Sequence, residues 1–142
     1  EQLVLRWSDA NDTGADHGLA IENLTLTRVR SEEAPDEKGL GVFPGTVKRF
    51  PVEARVPHMG WNDLENLQSS LYTNFPINNQ VYFVHSYYMQ PRNPAEVLLS
   101  AHYGIDFAAG VVRENIAGVQ FHPEKSHRFG KQLLNAFAGW AP

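Results

Sequence analysis

The chain has 142 residues, of which 42% are hydrophobic and 20% charged, ordinary values for one globular domain. Its formal net charge of −4 argues against nucleic acid or an anionic membrane as the main partner, since both select basic surfaces. The absence of cysteine excludes disulfides, thiolate metal sites and a cysteine nucleophile in this chain. The first 20 residues carry three aspartates and lack the apolar core of a signal peptide, so we expect a cytoplasmic location.

Residues 1–30 form an atypical segment with weak and broken hydrophobic periodicity. Residues 1–7, EQLVLRW, fit a short strand or one helical turn, and residues 8–18, SDANDTGADHG, are a run of turn formers. The partial alternation in residues 19–29 is consistent with a strand. Residues 31–39, SEEAPDEKG, are a charged loop, after which the patterns become stronger.

Residues 39–121 are predicted to form a succession of strands. The segment at residues 40–50 is a strand interrupted by a turn at Pro44–Gly45, and residues 54–65 are a short extended segment in which Asn62 or Asp63 caps a helical turn. Four further strands are predicted at residues 80–89, 95–104, 106–115 and 116–121. A tight hairpin at Glu114–Asn115 joins the last two of them.

The segment after Glu124 changes to helical spacing. Phe129, Leu133, Leu134 and Phe137 form one apolar stripe, and Ser126 is placed to cap the start of this helix. Strands followed by a terminal helix predict an α/β fold, with residues 31–142 as its recognisable part.

The segment VQFHPEKS, residues 119–126, places a histidine and a glutamate two positions apart at the end of an apolar run. Pro123 ends the strand, because proline cannot donate to a sheet ladder, and it favours an extended backbone at His122. Side chains two apart on a strand share a side, so His122 and Glu124 should project together from the strand's carboxyl end. A glutamate in this position can fix the imidazole tautomer and stabilise the imidazolium, as the acid of a catalytic triad does.

Two other interpretations of this motif are open. The pair could be an ordinary surface histidine and glutamate, with Glu124 favouring the helix N-terminus through its dipole. A zinc site is disfavoured, because the deaminase signature that begins with His-x-Glu also needs Pro-Cys-x-x-Cys. The other histidines at positions 58, 102 and 127 have no regular spacing, so we expect no metal and no cofactor.

Four segments carry a resemblance to a known family. GVQFHPEKS, residues 118–126, resembles the C-terminal active-site motif of class I, triad-type glutamine amidotransferases, whose subfamilies share Phe-His-Pro-Glu. Three other segments resemble one subfamily, the glutamine amidotransferase subunit of imidazole glycerol phosphate synthase: KGLGVFPGTVKRF (38–50), VPHMGWN (56–62) and YFVHSYY (82–88). The resemblance covers about residues 31–142. It implies a flavodoxin-like mixed sheet flanked by helices, truncated on its N-terminal side.

In that family a cysteine thiolate attacks the side-chain amide of glutamine and releases glutamate and ammonia. The ammonia passes through a tunnel to a (β/α)₈-barrel cyclase subunit that serves histidine biosynthesis. The resemblance implies that His122 is the general base and Glu124 its orienting acid. It also implies that the backbone at Ser86 and Tyr87 holds the amino-acid end of glutamine. The residues that match the face toward the cyclase are Met59, Trp61, Asn62 and Lys125.

The chain departs from the family before residue 31. A Gly-x-Cys-x-Gly elbow is expected about 20 residues before the charged loop, but this stretch contains no cysteine and no such elbow. One explanation is a natural non-catalytic paralogue. The preferred explanation is a frameshift or gene misassembly that places out-of-frame residues 1–30 before a genuine C-terminal part. In either case we expect no glutamine hydrolysis and marginal stability of the isolated chain.

Another class I enzyme, such as an anthranilate or guanylate synthase component, remains an alternative, although the PGTVKRF and HPEKS forms argue against it.

Several residues keep a purely structural interpretation. Within residues 80–89, the side chains expected to be buried in a strand are Val81, Phe83 and His85. Without the resemblance, the Met-Gly-Trp segment at residues 59–61 would be assigned to core packing.

Overall fold

The computed structural model describes residues 3–5, 30–31, 39–51, 53–65 and 80–140. Across these ranges the backbone forms nine strands, two short 3-10 helices and one α-helix. The strands in chain order are β1 (Leu3–Leu5), β2 (Arg30–Ser31), β3 (Gly45–Arg49), β4 (His58–Asp63), β5 (Gln80–His85), β6 (Tyr87–Pro91), β7 (Val97–His102), β8 (Asp106–Arg113) and β9 (Ile116–Val119). No helix in the described ranges is long and apolar enough to cross a membrane.

The largest sheet has four strands in the order β1-β9-β8-β7. The pairs β7–β8 and β8–β9 are antiparallel, whereas β1 lies parallel to β9, so the sheet is mixed. Strand β8 directs Phe107, Ala109 and Val111 into the core, and Gly110 on its other face is buried as well. The Glu114–Asn115 hairpin predicted from the sequence connects β8 to β9, and Glu114 adopts a positive φ of 52° there.

Two smaller sheets contain the remaining strands. The order β2-β3-β6 combines a parallel and an antiparallel pair, and β4 pairs with β5 as an antiparallel ribbon. Residues 80–91 therefore contribute to two sheets, because the chain bends at Ser86 between β5 and β6. The α/β character is confirmed.

The C-terminal part of the chain is helical. A 3-10 helix at Pro123–Lys125 leads into the α-helix α1 (His127–Ala138), whose buried residues are Phe129, Gly130 and Leu133. The predicted apolar stripe is thus correct for Phe129 and Leu133, whereas Leu134 is 48% exposed and Phe137 is half-buried against the Trp140 ring. The other 3-10 helix, Pro94–Glu96, begins with the side chain of Asn93 accepting a hydrogen bond from the Ala95 N–H at 3.1 Å.

One apolar core joins these elements. Its fully buried members come from β5, β7 and β8. The aromatic rings of the core meet mainly edge to face: Phe50 with Phe107 at 5.3 Å, and Phe83 with Phe121 at 5.9 Å between centroids. Helix α1 adds Phe129, whose ring lies 6.1 Å from that of Phe121. The core therefore reaches the segment that follows β9.

Three local predictions are wrong in the structure. Residues 80–89 are not one strand, since the bend at Ser86 divides them. Asn62 and Asp63 lie at the end of β4 rather than at a helix start, and Asn62 instead accepts from the Asp63 N–H at 2.8 Å. The strand predicted at residues 40–50 begins only at Gly45. At Gly45 the backbone lies so close to β6 that a Cβ atom would be 2.5 Å from the carbonyl oxygen of Gln90. The turn-rich and strand predictions for residues 8–18 and 19–29 lie outside the described residues.

Candidate active site

The chain leaves β9 through a turn that carries His122 and Glu124. Phe121 is 3% exposed and anchors this turn in the core. The backbone N–H of His122 donates to the carbonyl of Tyr82 on β5 at 2.9 Å, which attaches the turn to a second sheet. The φ and ψ angles of His122, −91° and 100°, are extended, as predicted for a residue before proline.

Ser126 holds the same turn from its other end. Its hydroxyl donates to the carbonyl oxygen of His122 at 2.6 Å and accepts from the N–H of Tyr82 at 3.0 Å. The side chain is almost completely buried, with 1% exposure for the residue. The prediction that this side chain caps helix α1 is therefore wrong, because its oxygen bridges the turn to β5 and makes no capping bond.

Helix α1 packs directly on the turn. A Cβ atom on Gly130 would lie 1.7 Å from the carbonyl oxygen of Pro123, so this helical position accepts only glycine without movement of the backbone. The amide of Gly130 donates to the carbonyl of Ser126 at 3.1 Å. The His-Pro-Glu turn is thus held between β5 on one side and the first turns of the helix on the other.

Within the turn, His122 and Glu124 form a hydrogen bond. Nδ1 of His122 lies 2.9 Å from Oε1 of Glu124, and Nδ1 is the donor when Glu124 is ionised. This arrangement leaves the lone pair of a neutral imidazole on Nε2. The side chain of His122 is 18% exposed and that of Glu124 is 49% exposed, so a reacting group can approach the pair. Such a pair is what base catalysis of a nucleophile requires.

Of the predicted substrate-holding residues, Ser86 is the bend between β5 and β6 and Tyr87 is the first residue of β6. The carbonyl of Ser86 accepts from the N–H of Phe50 at 3.1 Å. The carbonyl of Tyr87 accepts from Nδ1 of His85 at 2.9 Å. Both residues are half-buried, so the bend is held by its neighbours and still reaches the surface.

Two histidines lie beneath this bend. His58 on β4 and His85 on β5 are cross-strand partners, and Nδ1 of His58 lies 3.0 Å from Nε2 of His85. Burial lowers the pKa of each imidazole to about 4. For His85, the hydrogen bond to Tyr87 opposes this shift, and the positive charges that His58 and His122 can carry add to it.

The residues predicted to face a partner lie on β4 and at the start of the helical region. Met59 is 61% exposed and Trp61 45% exposed, unusual values for large apolar side chains. The ring of Trp61 stacks on His127 with centroids 5.0 Å apart, which brings β4 beside the segment that carries the exposed Lys125. Asn62 is half-buried instead and donates to the carbonyl of His102 at 2.8 Å.

Sequence reasoning missed two features of this site. It assigned no role to His58 and only burial to His85, because 27 residues separate the two in the chain. The signal that could have found them is the hairpin register, in which Trp61 pairs with Tyr82 and His58 therefore pairs with His85. The second feature is the bridge that the Ser126 hydroxyl makes between the His122 carbonyl and the Tyr82 N–H. It was missed because a serine before a helix is usually interpreted as a helix cap.

The fold and this site belong to a known class of protein. The family model for glutamine amidotransferase class-I matches residues 14–139, and the chain therefore belongs to that family. This match begins within the first thirty residues, before the point at which the motif resemblance starts.

The relatives within the family are consistent with one another. The chain is 43% identical over 119 residues to "Imidazole glycerol phosphate synthase subunit HisH 1" of Pseudomonas aeruginosa, covering 78% of this chain and 56% of that protein. It is 46% identical over 112 residues to the subunit HisH of Dechloromonas aromatica, with 72% and 52% covered. It is 45% identical over 115 residues to that of Moorella thermoacetica, with 80% and 55% covered. The chain spans about half the length of these curated relatives.

Proposed function

We propose that this chain is a glutaminase subunit of imidazole glycerol phosphate synthase, or the C-terminal part of one. The glutaminase subunit of that enzyme hydrolyses glutamine to glutamate and ammonia and passes the ammonia to a cyclase subunit in histidine biosynthesis. The observation that carries the proposal is the 2.9 Å bond between His122 Nδ1 and Glu124 Oε1, within a motif of the family to which the chain belongs. A cytoplasmic location is part of the same proposal.

In the proposed reaction, His122 Nε2 takes the proton of a nucleophile, while Glu124 fixes the tautomer and stabilises the imidazolium that forms. His122 then returns this proton to the departing ammonia. Two hydrogen bonds supply the rigidity that such a base requires: the His122 N–H donates to the Tyr82 carbonyl, and the Ser126 hydroxyl donates to the His122 carbonyl. They fix the backbone on both sides of the His122 Cα atom. The backbone of Ser86 and Tyr87 holds the amino-acid end of glutamine.

The chain has no cysteine to act as that nucleophile. Without a thiolate no covalent intermediate forms, and a histidine and glutamate alone are a weak catalyst for amide hydrolysis. We therefore expect the 142-residue chain to lack glutaminase activity, with or without a partner. In the proposed function, the chain supplies the base His122, the orienting acid Glu124 and the face that binds the partner.

The docking face consists of Met59, Trp61, Asn62 and Lys125, and its proposed partner is the (β/α)₈-barrel cyclase subunit. Exposed tryptophan and methionine side chains are enriched at the cores of protein interfaces. The stacking of Trp61 on His127 holds the indole ring in one orientation, which reduces the entropy lost on binding. Lys125 adds a positive charge beside this apolar surface.

A second candidate is a non-catalytic pseudo-amidotransferase that binds the cyclase as an interaction module. The same exposed Met59 and Trp61 support it, and so does the absence of cysteine. The two candidates differ in the origin of residues 1–30. Translation of the coding DNA upstream of Ser31 in the other two frames is expected to reveal Gly-x-Cys-x-Gly if the chain is an interrupted glutaminase. Unrelated sequence in both frames would favour the interaction module.

Binding and activity are tested with the purified chain and the cyclase subunit of the P. aeruginosa relative. We expect a complex by calorimetry and no glutamate release above that of the cyclase alone. Trp61→Ala should weaken the complex at least about tenfold, equivalent to about 1.4 kcal/mol. Leu134→Ala is the matched control, because Leu134 is equally exposed but lies on α1, outside the docking face. Equal losses for both variants would contradict the docking face, and glutamine-dependent turnover would contradict the expected lack of activity.

A further inference from the structure

The buried histidine pair has a geometry that the His122–Glu124 chemistry does not use. His58 and His85 are 3% and 5% exposed. The ring of His58 is stacked between Tyr103 and Phe83, with centroid separations of 3.9 and 4.7 Å and interplanar angles of 19° and 22°. These two stacks fix the plane of the imidazole. Its nitrogens consequently have fixed directions, one toward His85 and one toward Asn62.

The hydrogen-bond partners determine where the protons lie. The carbonyl oxygen of Tyr87 only accepts, so the proton of neutral His85 is on Nδ1 and its Nε2 accepts from Nδ1–H of His58. Nε2 of His58 then carries a lone pair toward the amide nitrogen of Asn62, at 3.4 Å.

The orientation of the Asn62 amide is fixed independently. Its Oδ1 accepts from the Asp63 N–H, and its nitrogen donates to the carbonyl of His102. A second proton on either imidazole would place two N–H groups against each other at one of these contacts. The arrangement is therefore complementary only when both rings are neutral and both carry their proton on Nδ1.

This series of hydrogen bonds ends at the backbone of the β5–β6 bend. His85 holds the carbonyl of Tyr87, while the N–H of Phe50 holds the carbonyl of Ser86. Because a trans peptide group is planar, fixing the Ser86 carbonyl also fixes the opposite direction of the Tyr87 N–H. The ring of His85 packs against Phe50 with centroids 5.1 Å apart, so the two supports of the bend also contact each other.

We propose that His58 and His85 are positioning residues, whose paired neutral imidazoles set the orientation of the Ser86–Tyr87 backbone for binding the amino-acid end of glutamine. This inference rests on the proposed function for the identity of the ligand. The orientation of the bend itself does not depend on that ligand. Neither histidine touches the reacting atoms, so their effect is on substrate binding and not on proton transfer to the nucleophile.

The first test is nitrogen NMR of the full 142-residue chain with labelled histidine at pH 7.5. We expect both His58 and His85 to show the tautomer with the proton on Nδ1, which is the minor form of free neutral histidine. His85→Phe keeps an aromatic ring but not the hydrogen bonds, and it should lower hydrogen-exchange protection of the Phe50 amide, which donates to the Ser86 carbonyl, at least about tenfold. His85→Asn retains a donor near the position of Nδ1 and should restore part of this protection. His102→Ala is the control, since His102 contributes only its backbone carbonyl to this network.

The second test is titration of the same chains with L-glutamine, followed through the amide signals of Ser86 and Tyr87. We expect binding by the wild type and by His102→Ala, a loss of at least about tenfold for His85→Phe, and a smaller loss for His85→Asn. If His85→Phe does not fold, His58→Phe takes its place, because it removes the donor to His85 and keeps the aromatic stack. The opposite tautomers, or unchanged amide protection in the phenylalanine variant, would overturn the inference. Absence of glutamine binding by the wild type, with the tautomers and protection as expected, would instead overturn the proposed function.

Discussion

Gly130 and Pro123 are in such close contact that the His-Pro-Glu turn can pack on helix α1 only because residue 130 has no Cβ atom. A Cβ atom at position 130 would lie 1.7 Å from the Pro123 carbonyl oxygen and 2.6 Å from its carbon, far inside van der Waals distance. The obstacle is backbone rather than a flexible side-chain end, so helix α1 and the His-Pro-Glu turn would have to separate. The position of His122 is thus linked to the packing of a helix that begins five residues later.

Gly130→Ala should therefore destabilise the chain, although alanine is usually favoured over glycine in a helix by about 1 kcal/mol. We expect a net loss of about 2 kcal/mol or more from the forced displacement, measured by urea unfolding. Gly118→Ala is a suitable control, because its Cβ atom would meet only Val111 at an ordinary 3.7 Å. A stabilised Gly130→Ala chain would show that the contact between the helix and the turn is not formed.

Ser126→Ala tests the bridge between the turn and β5. Removal of the buried hydroxyl leaves the N–H of Tyr82 without this acceptor in a part-buried position, and such losses cost about 1–3 kcal/mol. We also expect the NMR signals of the His122 ring to broaden or shift, because its carbonyl loses the 2.6 Å contact. Urea unfolding of Lys125→Ala provides the comparison, since this exposed neighbour should change stability by less than about 0.5 kcal/mol. Equal stabilities for the two variants would contradict the bridging role.

The order of the strands and helix could be predicted from the sequence because these features depend on local patterns. Strand-forming residues bounded by turn residues identified β8 and β9, and helical spacing identified α1. Pro123 was sufficient to predict the extended backbone of His122. The contact between His122 and Glu124 was expected from their two-residue spacing on a strand, whereas in the structure β9 ends at Val119 and Glu124 lies in the 3-10 helix Pro123–Lys125.

What could not be predicted depends on contacts between distant segments. The bend at Ser86 arises because Phe50, from another part of the chain, supplies the N–H that its carbonyl accepts. Ser126 looks like a helix cap in the sequence, but the N–H of Tyr82, 44 residues away, competes for its oxygen. The division of residues 80–91 between two sheets has the same origin, since pairing with β4 and β3 is decided by tertiary packing.

Glu114 offers a route to higher stability. Its φ of 52° lies in the left-handed region, which is unfavourable for a residue with a long side chain and readily adopted by glycine or asparagine. Glu114→Gly should raise the free energy of unfolding by about 0.5–1 kcal/mol, and Glu114→Val should lower it. Thermal unfolding of both variants beside the wild type measures the effect. The side chain is exposed, so a change in core packing is not expected to obscure it.

The histidine pair makes stability depend on pH in a defined direction. Burial lowers the pKa of His58 and of His85 to about 4, from an unfolded value near 6.5, and the nearby charge of His122 opposes protonation of His85 further. At about one pH unit above 6.5 and higher, both imidazoles are neutral in the folded and unfolded states, so the pair adds no pH dependence there. As the pH falls from 6.5 toward 4, the unfolded chain binds protons that the folded chain excludes, and stability decreases.

Between pH 6.5 and 4, each of these two imidazoles lowers the free energy of unfolding by up to about 1.4 kcal/mol per pH unit. Urea midpoints at pH 7.5, 6.0 and 5.0 measure the decrease in the wild type. The double variant His58→Phe/His85→Phe should show a shallower decrease, because neither position then takes up a proton on unfolding. His102→Gln retains the pair and should keep the steeper decrease that the pair contributes. The same pH dependence in the double variant as in the wild type would mean that the two imidazoles are not the groups excluded from protonation in the folded chain.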